Sequence, residues 1–216
     1  MSLEIVRNRF ILVRHGAISA QWKGICYGCQ DVPLCERWMA ESEPLILQLA
    51  SLRPATIFHS GLSRSSWLAG RVREIVYGQQ ACDVVEDVRL RERNFGQWEG
   101  MTWDDAYSSD PDNFHGLIDK PDTYRPPGGE TTTELQMRVV HWYQQCSQDD
   151  SLMSKPVLAV THSGPIAALA GHLLGLTPEN WTPWMLGYGE IMTISGKPNF
   201  GNEGVITRGW QSDLHS

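Results

Sequence analysis

The chain has 216 residues, 41% of them hydrophobic and 20% charged, which is ordinary for a globular protein. Its length suits one domain, 1–216, that buries about 70% of its unfolded surface and needs neither disulfide nor metal to fold. The net charge of −7 argues against nonspecific nucleic-acid binding, although a local basic pocket would still attract a small anion.

The N-terminal stretch MSLEIVRNRF lacks an apolar core, so no signal peptide is expected. No run of 18 apolar residues predicts a membrane span. Five cysteines are an odd number for a disulfide framework, and free thiols in a reducing cytoplasm are the simpler reading. Oligomeric state is left open, a homodimer included.

In chain order, the first expected strand is 10–14, FILVR. The segment 36–52 is helical in pattern but carries Pro44, which should break it. A second strand is expected at 55–59, then a helix over 63–78 with Ser63 as its cap. A weaker strand lies at 83–88. Residues 96–128 hold Trp98, Trp103, Tyr107, Phe114 and Tyr124 among Asp, Pro and Gly, and read as an excursion forming a small helical cap. Leu135, Val139, Trp142 and Cys146 recur at helical spacing within 130–147. Strands at 157–161 and 190–194 flank a small-residue helix over 164–174, and 205–208 adds a weak edge. The alternation predicts an α/β protein, a three-layer α/β/α sandwich around a mostly parallel sheet with a cap insertion.

In such sheets ligands gather beyond the carboxyl ends of the strands. There the sequence places Arg14-His15-Gly16, Arg64 in HSGLSRSS, Glu92 in RLRERNFGQWEG and His162 in THSG. Two arginine forks hold phosphate and stay charged at any working pH. A neutral imidazole is a nucleophile toward phosphorus, and a second imidazole offsets charge on the equatorial oxygens. A carboxyl group fits beside an anion as the acid that protonates the leaving oxygen. Each residue alone has a plainer reading: a surface turn for Arg14-His15, a helix-surface arginine, a solvated acid, a core histidine. Glu86 and Asp87 rival Glu92 as the acid.

Taken together, LVRHG (12–16), SGLSRS (60–65), LRERNFGQWEG (90–100) and VTHSG (160–164) resemble the histidine phosphatase superfamily in its phosphoglycerate-mutase-like branch. That resemblance implies His15 as the nucleophile that becomes phosphohistidine and Glu92 as general acid and then base. Arg14, Arg64 and His162 would form the phosphate pocket. It implies no metal and no cofactor. Ala17 departs from the acidic residue often found after RHG. Where an asparagine often assists the phosphate, Gln21 is the ungapped candidate, with the same amide donors. ICYGCQDVPL (25–34) and PPGGETTTELQMRV (126–139) resemble segments of alpha-ribazole phosphatases of cobalamin synthesis. The partner implied is a small-molecule phosphate monoester. Mutases of the branch carry a longer insertion after the acid, so the short chain argues for hydrolysis over mutase transfer, and a noncatalytic phospho-ligand module is the competing class. Cys26, Cys29 and Cys35 invite a zinc reading, yet no nearby fourth ligand completes it. Trp22, Trp103 and Trp184 are candidates to wall an aromatic leaving group.

Overall fold

The computed structural model describes residues 9–76, 82–152, 155–196 and 205–209. Six strands form one sheet: β1 (Arg9–Arg14), β2 (Thr56–His59), β3 (Asp83–Glu86), β4 (Val157–Thr161), β5 (Ile191–Ser195) and β6 (Val205–Arg208), in spatial order β3-β2-β4-β1-β5-β6. Neighbours from β3 to β1 run parallel, and only the β1–β5 and β5–β6 pairs are antiparallel.

The central strands read as continuous apolar runs because both faces are covered. On β1, Phe10 and Leu12 point to a core shared with α6 (Thr132–Gln148) and α7 (Ser163–Leu174). Ile11 and Val13 point the other way, to a core shared with α2 (Glu43–Ser51) and α3 (Ser63–Val76). β4 repeats the pattern, with Val157 and Ala159 on one face and Leu158 and Val160 on the other. Burying one such Leu or Ile side chain contributes about 2 kcal/mol. This is the expected three-layer sandwich. β3 and β6, at the edges, bury none of their residues, which is why their sequence signal is weak.

The break expected at Pro44 falls where proline chemistry puts it. Helix α1 (Glu36–Glu41) stops, and α2 restarts with proline in its first turn, where no intrahelical N–H bond is lost. The last two positions of the helix expected over 63–78 lie outside the described residues. Its cap differs from expectation. Ser63 is a donor there: its N–H and hydroxyl both donate to Asp31 Oδ1, at 2.8 and 2.7 Å, so the DVPL loop caps α3. Thr131 caps α6 in a reciprocal capping box with Glu134.

The excursion over 96–128 contains two short helices, α4 (Trp103–Ser109) and α5 (Gly116–Asp119). They enclose a small cluster of their own in which Trp98 stacks on Phe114 at 5.2 Å and Cys26 and Ala106 are buried. This is the expected helical cap, and it lies over the carboxyl end of the sheet beside the first strand's loop through the Ile25–Thr102 bridge. Among the described residues no helix is long and apolar enough to cross a membrane.

Candidate active site

Sheet register brings two histidines together. Arg14 pairs with Thr161 across β1 and β4, so the next residues, His15 and His162, emerge side by side. The His15 N–H donates to the Thr161 carbonyl at 2.9 Å, and the two rings meet edge to face with centroids 4.9 Å apart. Both are buried. His15 Nδ1 lies 2.7 Å from the Gly16 carbonyl, which can only accept, so Nδ1 carries the proton and Nε2 keeps its lone pair. Burial, then the charges of Arg64 and Arg14, hold the His15 pKa well below the usual histidine value. His15 is therefore a neutral imidazole at pH 7, the form that attacks an electrophile. Gly16 is required for space, since a Cβ there would come 2.1 Å from the Trp38 ring.

The arginines are held from outside the cluster. Fully buried Arg64 donates Nη1 to the Gln30 carbonyl at 2.6 Å and Nη2 to the Gly28 carbonyl at 2.7 Å. Arg14 Nη1 donates to the Leu186 carbonyl at 2.6 Å. Each guanidinium also lies against a phenol ring, Arg14 on Tyr188 at 4.1 Å and Arg64 near Tyr27 at 5.1 Å, and the two hydroxyls approach to 3.4 Å. Buried Nε atoms of both arginines and Nδ1 of His162 have no hydrogen-bond partner. A buried polar atom without a partner is costly, and the two guanidinium Nε–H donors share one demand: an anion with several acceptor oxygens.

Glu92 follows β3 in the segment leading to the cap. Its Oε1 accepts the Arg93 N–H at 2.9 Å, and its Oε2 lies 3.4 Å from both the Ser163 hydroxyl and the Gly164 N–H at the start of α7. The approach is so close that a Cβ at Gly164 would come within 2.2 Å of Oε1. The Glu92 carbonyl accepts from Arg138 Nη2 and from the Cys29 thiol, both at 3.0 Å. Arg138 also donates to the Arg89 carbonyl at 2.6 Å and pairs with Glu130 at 2.7 Å. Of the two rival acids, Asp87 pairs with Arg89 at 2.6 Å and Glu86 with Arg91 at 3.5 Å, and neither lines the cavity.

Arg14 and Glu92 open onto a cavity of about 940 Å³ walled by Trp22, Phe95, Trp103, Phe114 and Trp181. His115 also lines it. Trp184 packs instead against the core beside α7. Gln21 is exposed on the short 3₁₀ turn Ala20–Trp22, and its neighbours Ala20 and Trp22, not Gln21, line the cavity. The structure thus gathers His15, His162, Arg14 and Arg64 at one end of the sheet, and of the five predicted residues Arg14 and Glu92 line the cavity. Among the described residues no group of His, Cys, Asp and Glu is arranged to hold a metal ion.

The sequence profile of the histidine phosphatase superfamily, branch 1, matches residues 10–202. The chain belongs to that superfamily. A 2,3-bisphosphoglycerate-dependent phosphoglycerate mutase of Brucella melitensis biotype 2 is 30% identical over 171 residues, spanning 78% of this chain and 82% of the relative. A mycobacterial glucosyl-3-phosphoglycerate phosphatase, solved with VO₃, is 26% identical at a TM-score of 0.72, covering 88% of this chain and 91% of the other. An alpha-ribazole phosphatase from Shigella flexneri shares the fold at a TM-score of 0.72 and 24% identity, covering 87% and 90%.

Several residues of this histidine phosphatase site had no role assigned from the sequence, although all but Tyr188 lie inside the quoted motifs. Tyr27 and Tyr188 sit on the two guanidiniums from loops 161 residues apart. Arg138, at mid-helix, looks like a surface residue until its two carbonyl partners are seen. Ser60 and Ser65 lie inside a motif that was quoted, yet nothing in their identity signals the contacts they make. Arg93 is buried with its pKa lowered to about 10 by desolvation, and its Nη2 donates to Thr132 Oγ1.

Proposed function

We propose that the protein is a phosphomonoester hydrolase acting through a phosphohistidine on His15. The observation that carries this reading is the His15 Nδ1–Gly16 contact, which leaves a neutral, buried Nε2 lone pair within the field of Arg64 and Arg14. In the first step Nε2 attacks phosphorus, the ester P–O bond breaks, and Glu92 gives its proton to the departing oxygen. In the second step water loses a proton to Glu92, its oxygen attacks phosphorus, and the P–N bond breaks, restoring His15. Arg14, Arg64 and His162 hold the phosphoryl oxygens throughout, so little reorganisation accompanies the charge movement. For Gln21 to donate to the phosphate its turn has to close toward the arginines, and Gln21→Ala measures whether it does.

The large aromatic cavity supports a bulky leaving group with a flat ring, and with the 25–34 and 126–139 resemblances it favours alpha-ribazole 5'-phosphate. Five free thiols support a reducing, cytoplasmic setting. The test is kcat/KM across a panel of monoesters: alpha-ribazole 5'-phosphate, sugar phosphates, nucleotides and p-nitrophenyl phosphate, with His15→Ala as control and with EDTA present. Phosphate release that depends on His15 and ignores EDTA, fastest with the aromatic riboside, is expected. Interconversion of 2- and 3-phosphoglycerate outrunning hydrolysis would replace hydrolase by mutase, and binding without turnover would make the protein a phospho-ligand module.

A further inference from the structure

His162 meets a feature that the phosphoryl-transfer scheme leaves unused. Its Nε2 lies 2.8 Å from Ser60 Oγ. Ser60 Oγ lies 2.6 Å from Ser65 Oγ, and Ser65 Oγ lies 2.8 Å from the Leu62 carbonyl. All three side chains are buried, and the register of β2 against β4 sets the first contact, since His59 pairs with Val160 and Ser60 follows. Three links must be made with two hydroxyl protons. A carbonyl only accepts, so the last link needs the Ser65 proton. The middle link then needs the Ser60 proton, and the first needs a proton on Nε2. Only this direction makes all three bonds at once.

We infer that Ser60 and Ser65 are positioning residues that hold His162 as its Nε2–H tautomer and present a bare Nδ1 to the phosphoryl group. The inference rests on the phosphohistidine reading above for its role, but not for its geometry. Nδ1 is the buried ring atom without a partner. Burial, together with His15, Arg64, Arg14 and Arg138, disfavours the imidazolium in the empty pocket, so tautomer matters there. The two histidines are then held in opposite tautomers: a backbone carbonyl takes the Nδ1 proton of His15, and a serine chain takes the Nε2 proton of His162. An entering phosphoryl group, as its monoanion or as the dianion with one proton from solvent, delivers a proton to Nδ1 and gains a charged donor on one of its oxygens.

The test is ¹⁵N NMR of the histidine side chains in the ligand-free protein, with inorganic vanadate affinity as the functional readout. His162 should show a protonated Nε2 and a bare Nδ1, and His15 the reverse. In Ser65→Ala the Ser60 proton has no acceptor except His162 Nε2. The tautomer should shift toward Nδ1–H, with vanadate binding weaker by about tenfold, and Ser65→Thr, which keeps the hydroxyl, should restore both. A wild-type His162 with its proton on Nδ1 would overturn the inference, as would a Ser65→Ala protein unchanged in tautomer and in vanadate affinity. If His15→Ala instead stays fully active, the phosphohistidine reading fails while the tautomer measurement still stands.

Discussion

Gly164→Ala would put a methyl group where Glu92 keeps its carboxylate. The added Cβ would lie 2.2 Å from Glu92 Oε1, 3.3 Å from its Cδ and 3.6 Å from Leu135 Cδ2. An ordinary carbon–oxygen contact needs about 3.4 Å, so the carboxylate must retreat by roughly 1 Å. The group that yields is the end of a flexible side chain, not backbone, and the backbone at 164 suits any L-residue. Alanine for glycine in a helix adds up to about 1 kcal/mol of stability. The variant should therefore fold with an unchanged or raised Tm. A misplacement of this size at a reacting group costs about 10²-fold in rate. The loss should be larger for alkyl phosphates, whose leaving oxygen needs a proton, than for p-nitrophenyl phosphate, whose phenolate leaves readily without one. Steady-state kcat on both substrates, beside a thermal melt, measures this. A folded Gly164→Ala enzyme with wild-type kcat on alkyl esters would refute the placement of Glu92 as acid.

Arg138→Ala should lower stability by about 2 kcal/mol, read as a shift in urea midpoint, because it strands the half-buried Glu130 carboxylate and frees two carbonyls; it should also lower kcat by loosening the Glu92 segment. His15 and His162 are buried with depressed pKa values, so the unfolded chain binds their protons first as pH falls. Stability should thus be unaffected by them above about pH 6.5 and fall below it, by up to about 1.4 kcal/mol per pH unit for each; thermal melts from pH 7.5 to 5 check this, and His162→Gln should flatten the slope. Cys29, its thiol pKa pushed up to about 12 by burial, should resist alkylation at pH 7.5 in the native enzyme and react once unfolded. Trp103→Ala should raise KM for aromatic monoesters more than for small sugar phosphates.

What the sequence made legible follows a physical pattern. β1 and β4 are buried on both faces, so FILVR and VLAVT are apolar throughout, and the polar residues ending them announce a site. The order of four motifs carried Arg14, His15, Arg64, Glu92 and His162. Contacts made by backbone groups left no trace: the Gly16 carbonyl on His15 and the Leu186 carbonyl on Arg14 depend on geometry, not residue type. Asp31 capping α3 joins positions 32 residues apart, which no local cap rule can see. Glu130 stands where acids favour a helix start, but its carboxylate is spent on Arg138 while Thr131 does the capping. Gln21 was aligned by spacing alone, and the turn at Ala20–Trp22 leaves it facing solvent. Tyr27 and Tyr188 stand on loops whose proximity only the folded chain defines.

The central claim is that His15 Nε2 takes the phosphoryl group. Rapid acid- and base-quench of the enzyme with a ³²P-labelled monoester, followed by peptide mapping, measures it directly. An alkali-stable, acid-labile label on the peptide holding His15, formed and lost fast enough to account for turnover and absent from His15→Ala, is the predicted result. A label on another residue, or turnover at full rate with no label on His15, would contradict it.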